Sequence, residues 1–374
     1  MTNRGIPAVL ARGGASRGLI VLKEDLRHIP SEQWESLFAL WVGSPDPSGR
    51  QIDGVGGGNP STSKVVVLGD SDVPDRDFDY SFFQIDPITG RADRRGTCGN
   101  LTAACGLVAV SNGLVPVNAP CTVVRLRCTN TGKDIDVEVP LAVVPTSTGV
   151  SRSRYAAKPG SPVITSSFLE PAGATTGHLF PTGVSTQELE LEHRRLSVTL
   201  IDAVNPVVLV DGRSVGADVH RSPAELESDP ELMGRLEQVR AWAAVACGFA
   251  TSVQSVPEES SFYPYIGMTF LPQHHYLSGG ATIRTDEVDV VVRMLSGPTV
   301  HRALPLSAGL ATAVATFLGQ RGGSDDQPIP VRLGHPSGVL TVDVTPGEKT
   351  TAPVRRISVP SSARVIMRGY LEVD

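Results

Sequence analysis

One cysteine of the chain stands where a reactive thiol could be formed and used. Cys98 lies in RRGTCGNLTAACG, residues 94–106, between a glycine-containing turn and an alanine-rich run with the spacing of a helix. The first N–H groups of a helix lack intrahelical partners and favour an anion, so a thiol placed there ionises readily. The same groups at Gly99 and Asn100 could bind a substrate carboxylate. The alternative is a small buried side chain, the commonest fate of a free cysteine. The coincidence of turn, helix start and Gly-Asn favours a functional thiol.

A lysine follows a glycine-rich loop in DGVGGGNPSTSKVVVL, residues 53–68. The segment is neither a P-loop, because Lys64 follows Ser63 and precedes a strand, nor a dinucleotide fingerprint, because Asn59 replaces the last glycine. Lys64 is therefore either a solvated surface lysine or a lysine directed into a site. In a site of low dielectric its pKa would fall and it could act as a base. Ser63 beside it is a candidate binding residue.

Two further turns carry groups that could bind an anion. ARGGASRG, residues 11–18, offers Ser16 and Arg17 around a glycine turn, and LGHPSG, residues 333–338, offers His335 and Ser337. Both segments are also ordinary tight turns. The eight histidines show no metal-ligand spacing, and no G-x-S-x-G motif indicates a serine hydrolase. No metal site is expected.

The two halves of the chain repeat the same order of predicted elements. LARGGASRGLIVL aligns with LIDAVNPVVLV, each a strand, turn and strand, and GTCGNLTAACG aligns with PLSAGLATAVA, each the start of a small-residue helix. Residues 150–180, rich in Ser, Gly, Pro and Thr, are predicted as a connector. Two similar α+β domains would leave a cleft into which both helix starts point. Asn205 and Ser307 occupy such turn and helix-start positions in the second half and are candidate substrate-binding residues.

The bulk composition excludes several classes of protein. A chain of 374 residues favours two domains, and a net charge of -6 argues against nucleic-acid binding. Five cysteines without a C-x-x-C pair indicate free thiols in a reducing compartment. The opening residues lack a long apolar stretch, and no run approaches the roughly 18 residues of a membrane span. A cytoplasmic protein without a membrane partner is expected.

Six blocks together resemble the PrpF-type isomerases, a family that includes 2-methylaconitate cis-trans isomerase, methylitaconate delta-isomerase, 4-oxalomesaconate tautomerase and aconitate delta-isomerase. In chain order they are ARGGASRG, SPDPSGRQIDGVGGGNPSTSK, GTCGN, IDAVNPVVLV, VVRML and LGHPSG. The resemblance runs from residue 11 to the C-terminus. It implies an α+β, diaminopimelate epimerase-like fold, with two pseudo-symmetric domains that each wrap a sheet or barrel around a central helix. The expected domains are 1–186, joined by the last strand 362–374, and 187–361.

The resemblance also implies the catalytic residues. Carried over by position, the catalytic serine, lysine and cysteine of the family fall on Ser16, Lys64 and Cys98. In the two-cysteine epimerases of this fold a second thiol lies at the second central helix, where this chain has Leu306. A symmetric two-thiol reaction is therefore disfavoured. One base is Cys98 and the other Lys64, and which of them acts as base and which as acid stays open.

The expected function is a cofactor-independent allylic isomerase acting on a small unsaturated di- or tricarboxylate. Arg17 is expected to share the charge of the dienolate. The alternatives are an amino-acid racemase or epimerase and a non-catalytic binding protein of the same fold. The oligomeric state is open, with a homodimer among the alternatives. The chain departs from its relatives at Ala15, Arg17, Thr97 and His178, so the substrate is open too.

Overall fold

Contacts within the chain divide it into two units. The structure is a computed structural model, and it describes residues 5–143, 163–191, 194–260, 262–276, 280–320, 327–348 and 353–373. The first unit consists of Met1–Leu169 and Val359–Asp374, and the second of Glu170–Ser358.

Both units combine β-strands with a few helices. The first unit begins with β1 (Ile6–Gly13), β2 (Ser16–Leu22), α1 (Trp34–Val42), β3 (Lys64–Asp70), β4 (Phe78–Ile85), β5 (Ala92–Asp93), α2 (Gly99–Ser111), β6 (Cys121–Cys128), β7 (Lys133–Pro140) and β8 (Ile164–Leu169). The chain continues with β9 (Gln187–Leu191), β10 (Arg194–Ala203), β11 (Asn205–Asp211), α3 (Pro223–Glu227), α4 (Pro230–Ala246), α5 (Val256–Glu259), β12 (Tyr265–Phe270), β13 (His275–Tyr276), β14 (Thr282–Ile283), β15 (Val290–Ser296), β16 (Thr299–Val300), α6 (Leu306–Gln320), β17 (Ile329–His335), β18 (Gly338–Pro346) and β19 (Val354–Ser361). The last strand, β20 (Ala363–Leu371), returns to the first unit.

The strands follow the same order and direction in both units. In the first unit the order is β20-β1-β2-β3-β4-β6-β7-β8, with parallel neighbours only at β2/β3 and β4/β6. In the second it is β9-β10-β11-β12-β15-β17-β18-β19, with parallel neighbours only at β11/β12 and β15/β17. The repeat predicted from the sequence is therefore confirmed at the level of topology.

A small-residue helix lies at the centre of each unit. In the first, α2 packs against β1, β2, β6, β7, β8 and β20, and every residue from Gly99 to Val110 is buried. A Cβ atom added at Gly106 would lie 2.5 Å from Val137 Cγ1, so the strand approaches too closely for a larger residue. In the second, α6 packs against β10, β11, β17 and β18. A helix that is apolar on all sides is one that a sheet can surround.

The two faces of the first sheet bury different partners. Leu19 and Val21 of β2, together with Val65 and Val67 of β3, pack against α1 in one core cluster. Because successive side chains of a strand point to opposite faces, the alternate residues of these strands lie on the face that covers α2. Ser16 and Lys64 belong to this α2 face.

Two segments differ from the sequence-based prediction. Residues 150–162 of the predicted connector lie outside the described residues, and the remainder contains β8 and a loop held by Asp202. The buried Asp202 carboxylate accepts hydrogen bonds from the backbone of Thr175 at 2.8 Å and of Thr176 at 2.6 Å. No helix was predicted for α1. Over the described ranges, no helix has both the length and the apolar character needed to cross a membrane.

Candidate active site

Ser16, Cys98 and Asn100 come together at the start of α2. Cys98 immediately precedes the helix, with an extended backbone at φ -109 and ψ 94, and its side chain does not cap the helix. Its Sγ donates to Ser16 Oγ at 3.7 Å, and Asn100 Nδ2 donates to the same oxygen at 3.3 Å. All three side chains are buried. The hydroxyl of β2 therefore joins the thiol to the first turn of α2, where Gly99 is the first residue.

The glycine pair between β1 and β2 is what lets this turn lie against α2. A Cβ atom at Gly13 would lie 1.9 Å from the backbone oxygen of Asn100. Gly14 has a φ of +48, and a Cβ atom there would lie 2.1 Å from Asn100 Oδ1. Only residues without a side chain fit this approach, and the positive φ also favours glycine. Ala15, a departure from the family pattern, completes the turn.

Tyr80 and Thr97 anchor the backbone on which Cys98 lies. Tyr80 Oη donates to the backbone oxygen of Cys98 at 3.1 Å, and the Thr97 side chain is a polar neighbour that acts on the pKa of the phenol. Burial raises the pKa of Tyr80 well above its ordinary value, so the phenol stays protonated and keeps donating. Thr97, at 3% exposure, therefore lies in this buried contact.

Lys64 presents a buried amine on the α2 face. Its Nζ donates to Gln84 Oε1 and lies 5.1 Å from the centroid of the Phe82 ring. Burial lowers the pKa of Lys64 from its ordinary value, and the electrostatic influence of the neighbouring Cys98 opposes that shift. A dry surrounding favours the neutral amine, which is the form that accepts a proton.

Ser63 lies in the glycine loop, and its side chain does not belong to the group formed by Ser16, Cys98 and Asn100. Its hydroxyl donates to Gln51 Oε1 at 2.8 Å and to the backbone oxygen of Asn59 at 2.9 Å. Gln51 Oε1 also accepts from the backbone of Gly58 at 2.8 Å, and its amide donates to Ser44. The hydroxyl of Ser63 is thus used to hold the loop that leads into Lys64.

Arg17 does not join Ser16, because adjacent residues of a strand point to opposite faces. Its guanidinium donates to the backbone oxygens of Val55 at 3.2 Å and Gly56 at 3.1 Å. Val55 packs in the cluster on the α1 side of the sheet. The structure therefore places the Arg17 guanidinium on the glycine loop, where it holds the backbone, and on the opposite face of β2 from Ser16.

The second unit places Asn205 and Ser307 in a comparable pair. Asn205 Nδ2 donates to Ser307 Oγ at 2.8 Å, and both side chains are buried. They stand at the starts of β11 and α6, the topological places of Ser16 and Asn100 in the first unit. The oxygen of Pro305 accepts from Gly309 N at 2.9 Å, so Pro305 precedes the helix and Leu306 is its first residue. Neither can transfer a proton.

His335 and Ser337 form a turn at the end of β17. The backbone N–H of Ser337 donates to His335 Nδ1 at 3.2 Å, which leaves the ring proton on Nε2. Burial lowers the pKa of His335 to about 4, with smaller contributions from His301 and Arg293. The imidazole is therefore neutral at pH 7. The hydroxyl of Ser337 donates to the backbone oxygen of Arg302, and His178, another departure, is exposed.

Two residues at the site had no motif to reveal them. Tyr80 contacts Cys98 and Gln84 contacts Lys64 through pairings that sequence separation hides. Gln51, which contacts Ser63, lies in the quoted block that also contains Ser63, but a glutamine has no chemistry that would single it out there. The only available indication was alternation in DYSFFQID, which puts Tyr80 and Gln84 on one face of a strand.

Comparison with known proteins identifies relatives over nearly the whole chain. A family model described as PrpF protein matches residues 3–374. The 3-methylitaconate isomerase of Eubacterium barkeri is 32% identical, with 99% of this chain and 97% of that protein covered. The 2-methyl-aconitate isomerase of Shewanella oneidensis is 32% identical, with 98% and 96% covered. The 4-oxalomesaconate tautomerase of Pseudomonas putida is 32% identical, with 91% and 89% covered.

Solved structures agree with these relatives. A methylitaconate-delta-isomerase structure matches with a TM-score of 0.77 and 30% identity, covering 100% of this chain and 96% of that one. A hydroxyproline epimerase of Agrobacterium vitis matches with a TM-score of 0.54 and 14% identity, covering 100% and 94%. The second likeness shows the fold alone. Together with the repeated topology, these matches confirm the expected α+β, diaminopimelate epimerase-like fold.

Proposed function

The chain belongs to the PrpF family, and we propose that it is a cofactor-independent isomerase that moves an allylic proton on a small unsaturated di- or tricarboxylate. The relatives are named as isomerases and a tautomerase of methylitaconate, methylaconitate and oxalomesaconate. The observation that carries the proposal is a buried amine, Lys64, on the face that covers the helix bearing Cys98. An amine and a thiol are two proton-transfer groups, so one can remove a proton at one allylic carbon while the other returns a proton at the far carbon.

We assign the removal of the proton to Lys64. Burial disfavours its ammonium form, so the neutral amine is available to take a proton from a C–H next to the conjugated system. The electron pair of the broken C–H bond forms a new double bond to the neighbouring carbon. The electrons of the original double bond shift along the conjugated system, and the negative charge spreads onto the carboxylate oxygens. A dry site lowers the cost of neutral-amine catalysis because no water competes for the lone pair.

Cys98 returns a proton at the far allylic carbon. The Cys98 Sγ donates to Ser16 Oγ, which also accepts from Asn100, so the sulfur is held at one place beside the start of α2. The start of α2, including Gly99, stabilises the negative charge of the intermediate through its N–H groups. Ser16 and Asn100 are also placed to bind a carboxylate beside the reacting carbon.

We propose that Asn205, Ser307 and His335 act as neutral hydrogen-bond donors to a carboxylate. Asn205 and Ser307 form a buried polar pair, and His335 is neutral with its proton on Nε2. Neutral donors bind a carboxylate without a strong ion pair, which suits a substrate that must be released after one proton shift.

Deuterium wash-in tests the assignment. Candidate acids are incubated with protein in heavy water, and their allylic protons are followed by NMR. Lys64→Met is expected to lose both exchange and isomerisation. Cys98→Ser is expected to lose product by about 10²–10⁴-fold, the usual worth of a positioned acid, while exchange at the starting carbon continues.

Cys105→Ala is the matched control, because Cys105 is a buried cysteine in the body of the same helix. It should isomerise at close to the parent rate. Isomerisation by Cys98→Ser at the parent rate would contradict the role of the thiol. A binding protein would exchange no proton in any variant, and a racemase would exchange the α-proton of an amino acid instead.

We propose a cytoplasmic location for the enzyme. All five cysteines are free thiols, as in proteins kept in reducing compartments. A thiol used as a proton donor also needs such surroundings, because oxidation would remove its proton.

A further inference from the structure

Gln84 is directly opposite Lys64 in the first sheet. The register of β3 and β4 pairs the two residues, and both side chains lie on the α2 face at 3% and 7% exposure. Lys64 Nζ donates to Gln84 Oε1. In the described part of the chain, no carboxylate forms an ion pair with Lys64, and the titratable group that acts on it is Cys98 at the start of α2.

The orientation of the Gln84 amide is fixed by its nitrogen. Nε2 donates to the backbone oxygens of Pro60 at 3.0 Å, Ser63 at 3.1 Å and Ile85 at 3.3 Å. An amide flipped by half a turn would set its oxygen against these three oxygens, none of which can donate. Oε1 is therefore held towards the amine.

A fixed neutral acceptor has two consequences for an amine. One N–H is tied to Oε1, so the remaining hydrogens and, in the neutral form, the lone pair take defined directions. The acceptor carries no charge, so it holds the amine without the stabilisation that a carboxylate would give to the ammonium. The side chain of Gln84 thereby sets both the direction and the protonation state of the Lys64 amine.

We propose that Gln84 is the positioning residue for Lys64, aiming the amine through a locked amide oxygen and keeping it free of a negative partner. This inference rests on the proposed role of Lys64 as the base. It also gives a function to the glycine loop, since the oxygens of Pro60 and Ser63 that lock the amide belong to its last turn.

Two substitutions at Gln84 separate this role from a structural one. Q84E keeps the length of the side chain and supplies a negative charge, so the pKa of Lys64 should rise by about 1–3 units. Q84M removes the acceptor oxygen without adding charge, so the pKa of Lys64 should stay level or fall. A new charge shifts a neighbouring amine whatever the native residue does, so Q84M is the discriminating variant. A residue that only fills space would leave kcat unchanged in Q84M, whereas loss of the acceptor oxygen should lower kcat at nearly constant KM.

The pKa of Lys64 can be measured without any substrate. The chain has five lysines, so protein labelled with ¹³C-lysine gives a simple NMR titration in which K64M assigns one resonance and the other four serve as references. Gln33→Glu, an exposed glutamine of the same unit, is the charge control and should leave Lys64 unmoved. With substrate, Q84E should lower kcat at nearly constant KM and move the acid limb of kcat/KM to higher pH.

The results at Gln84 test the inference, and the exchange activity of the parent tests the proposed function. A higher pKa of Lys64 in Q84E, together with a lower kcat at nearly constant KM in Q84M, supports the inference. Coincident titrations in the parent, Q84E and Q84M, or a Q84M protein with the kcat of the parent, would overturn it. Failure of the parent to exchange any allylic proton would instead overturn the proposed function, and the titration would still report on Gln84.

Discussion

Lys64 shows at the level of one residue how burial changes the acid–base chemistry of an ordinary side chain. The chain uses arginine for most of its 33 basic residues and keeps only five lysines. An arginine cannot lose its proton in a protein, whereas a buried lysine can. The thiol of Cys98 complements this amine, because the hydroxyl of Ser16 gives its proton a single acceptor.

Ser16→Ala tests the contribution of that hydroxyl. The change leaves Cys98 Sγ without its acceptor and removes the partner of Asn100 Nδ2, while the small side chain still fits. We expect kcat/KM to fall about 10²-fold, the size of a loss caused by a small misplacement of reacting groups, with little change in thermal stability. Ser81→Ala, on the other face of β4, is the control and should match the parent. Equal activity of Ser16→Ala and Ser81→Ala would remove Ser16 from the machinery.

The structure places Thr97 in a different setting from the one expected from the sequence. The sequence placed this departure from the family where substrate selection was expected. In the structure, Thr97 is buried against Tyr80, whose phenol holds the backbone oxygen of Cys98. Thr97 therefore lies beside the phenol that holds the backbone of Cys98.

At the level of elements, the site depends on how closely the β1–β2 turn approaches α2. Gly13→Ala tests this approach, because the new Cβ would lie 1.9 Å from the backbone oxygen of Asn100. Either the turn or the helix start must move, which should cost about 1–3 kcal/mol of stability and displace Ser16 from Cys98. Thermal unfolding and kcat/KM should both fall.

Gly234→Ala is the matched control for this substitution. Gly234 lies in the exposed face of α4, and no atom lies within 4 Å of a Cβ added there. Alanine should stabilise that helix by about 0.5–1 kcal/mol and leave activity unchanged. A Gly13→Ala protein as stable and active as the parent would show that the turn has more room than the structure indicates.

Local patterns predicted the elements that carry Ser16, Lys64 and Cys98. A glycine turn between two apolar runs, a lysine at the start of a β-branched run, and a small-residue helix ended by Asn112-Gly113 are all local features. Gln84 could not be found in this way. It becomes important only because strand pairing brings it opposite a lysine 20 residues earlier. The face of Arg17 likewise depends on the register of β2.

At the level of the whole molecule, two units of one topology carry different chemistry. The first places an amine and a thiol at its central helix, and the second places Pro305, Leu306 and neutral hydrogen-bond donors at the corresponding helix. The second unit also buries basic groups together. Arg293 is 2% exposed and His275 is fully buried, and both act on the protonation of His335.

This basic cluster predicts acid sensitivity of the molecule. The pKa of His335 falls from 6.5 to about 4 on folding, so between these pH values the unfolded chain binds a proton that the folded chain does not. Stability should therefore decrease as the pH falls through this window, by roughly 3 kcal/mol for this group alone, and level off below it. His335→Gln removes the group, so urea unfolding at pH 7, 5.5 and 4.5 should show a shallower loss than in the parent. The exposed His28→Gln should retain the parent slope. Equal slopes for His335→Gln and the parent would mean that His335 takes up its proton in the folded protein, which its burial beside Arg293 and His301 opposes.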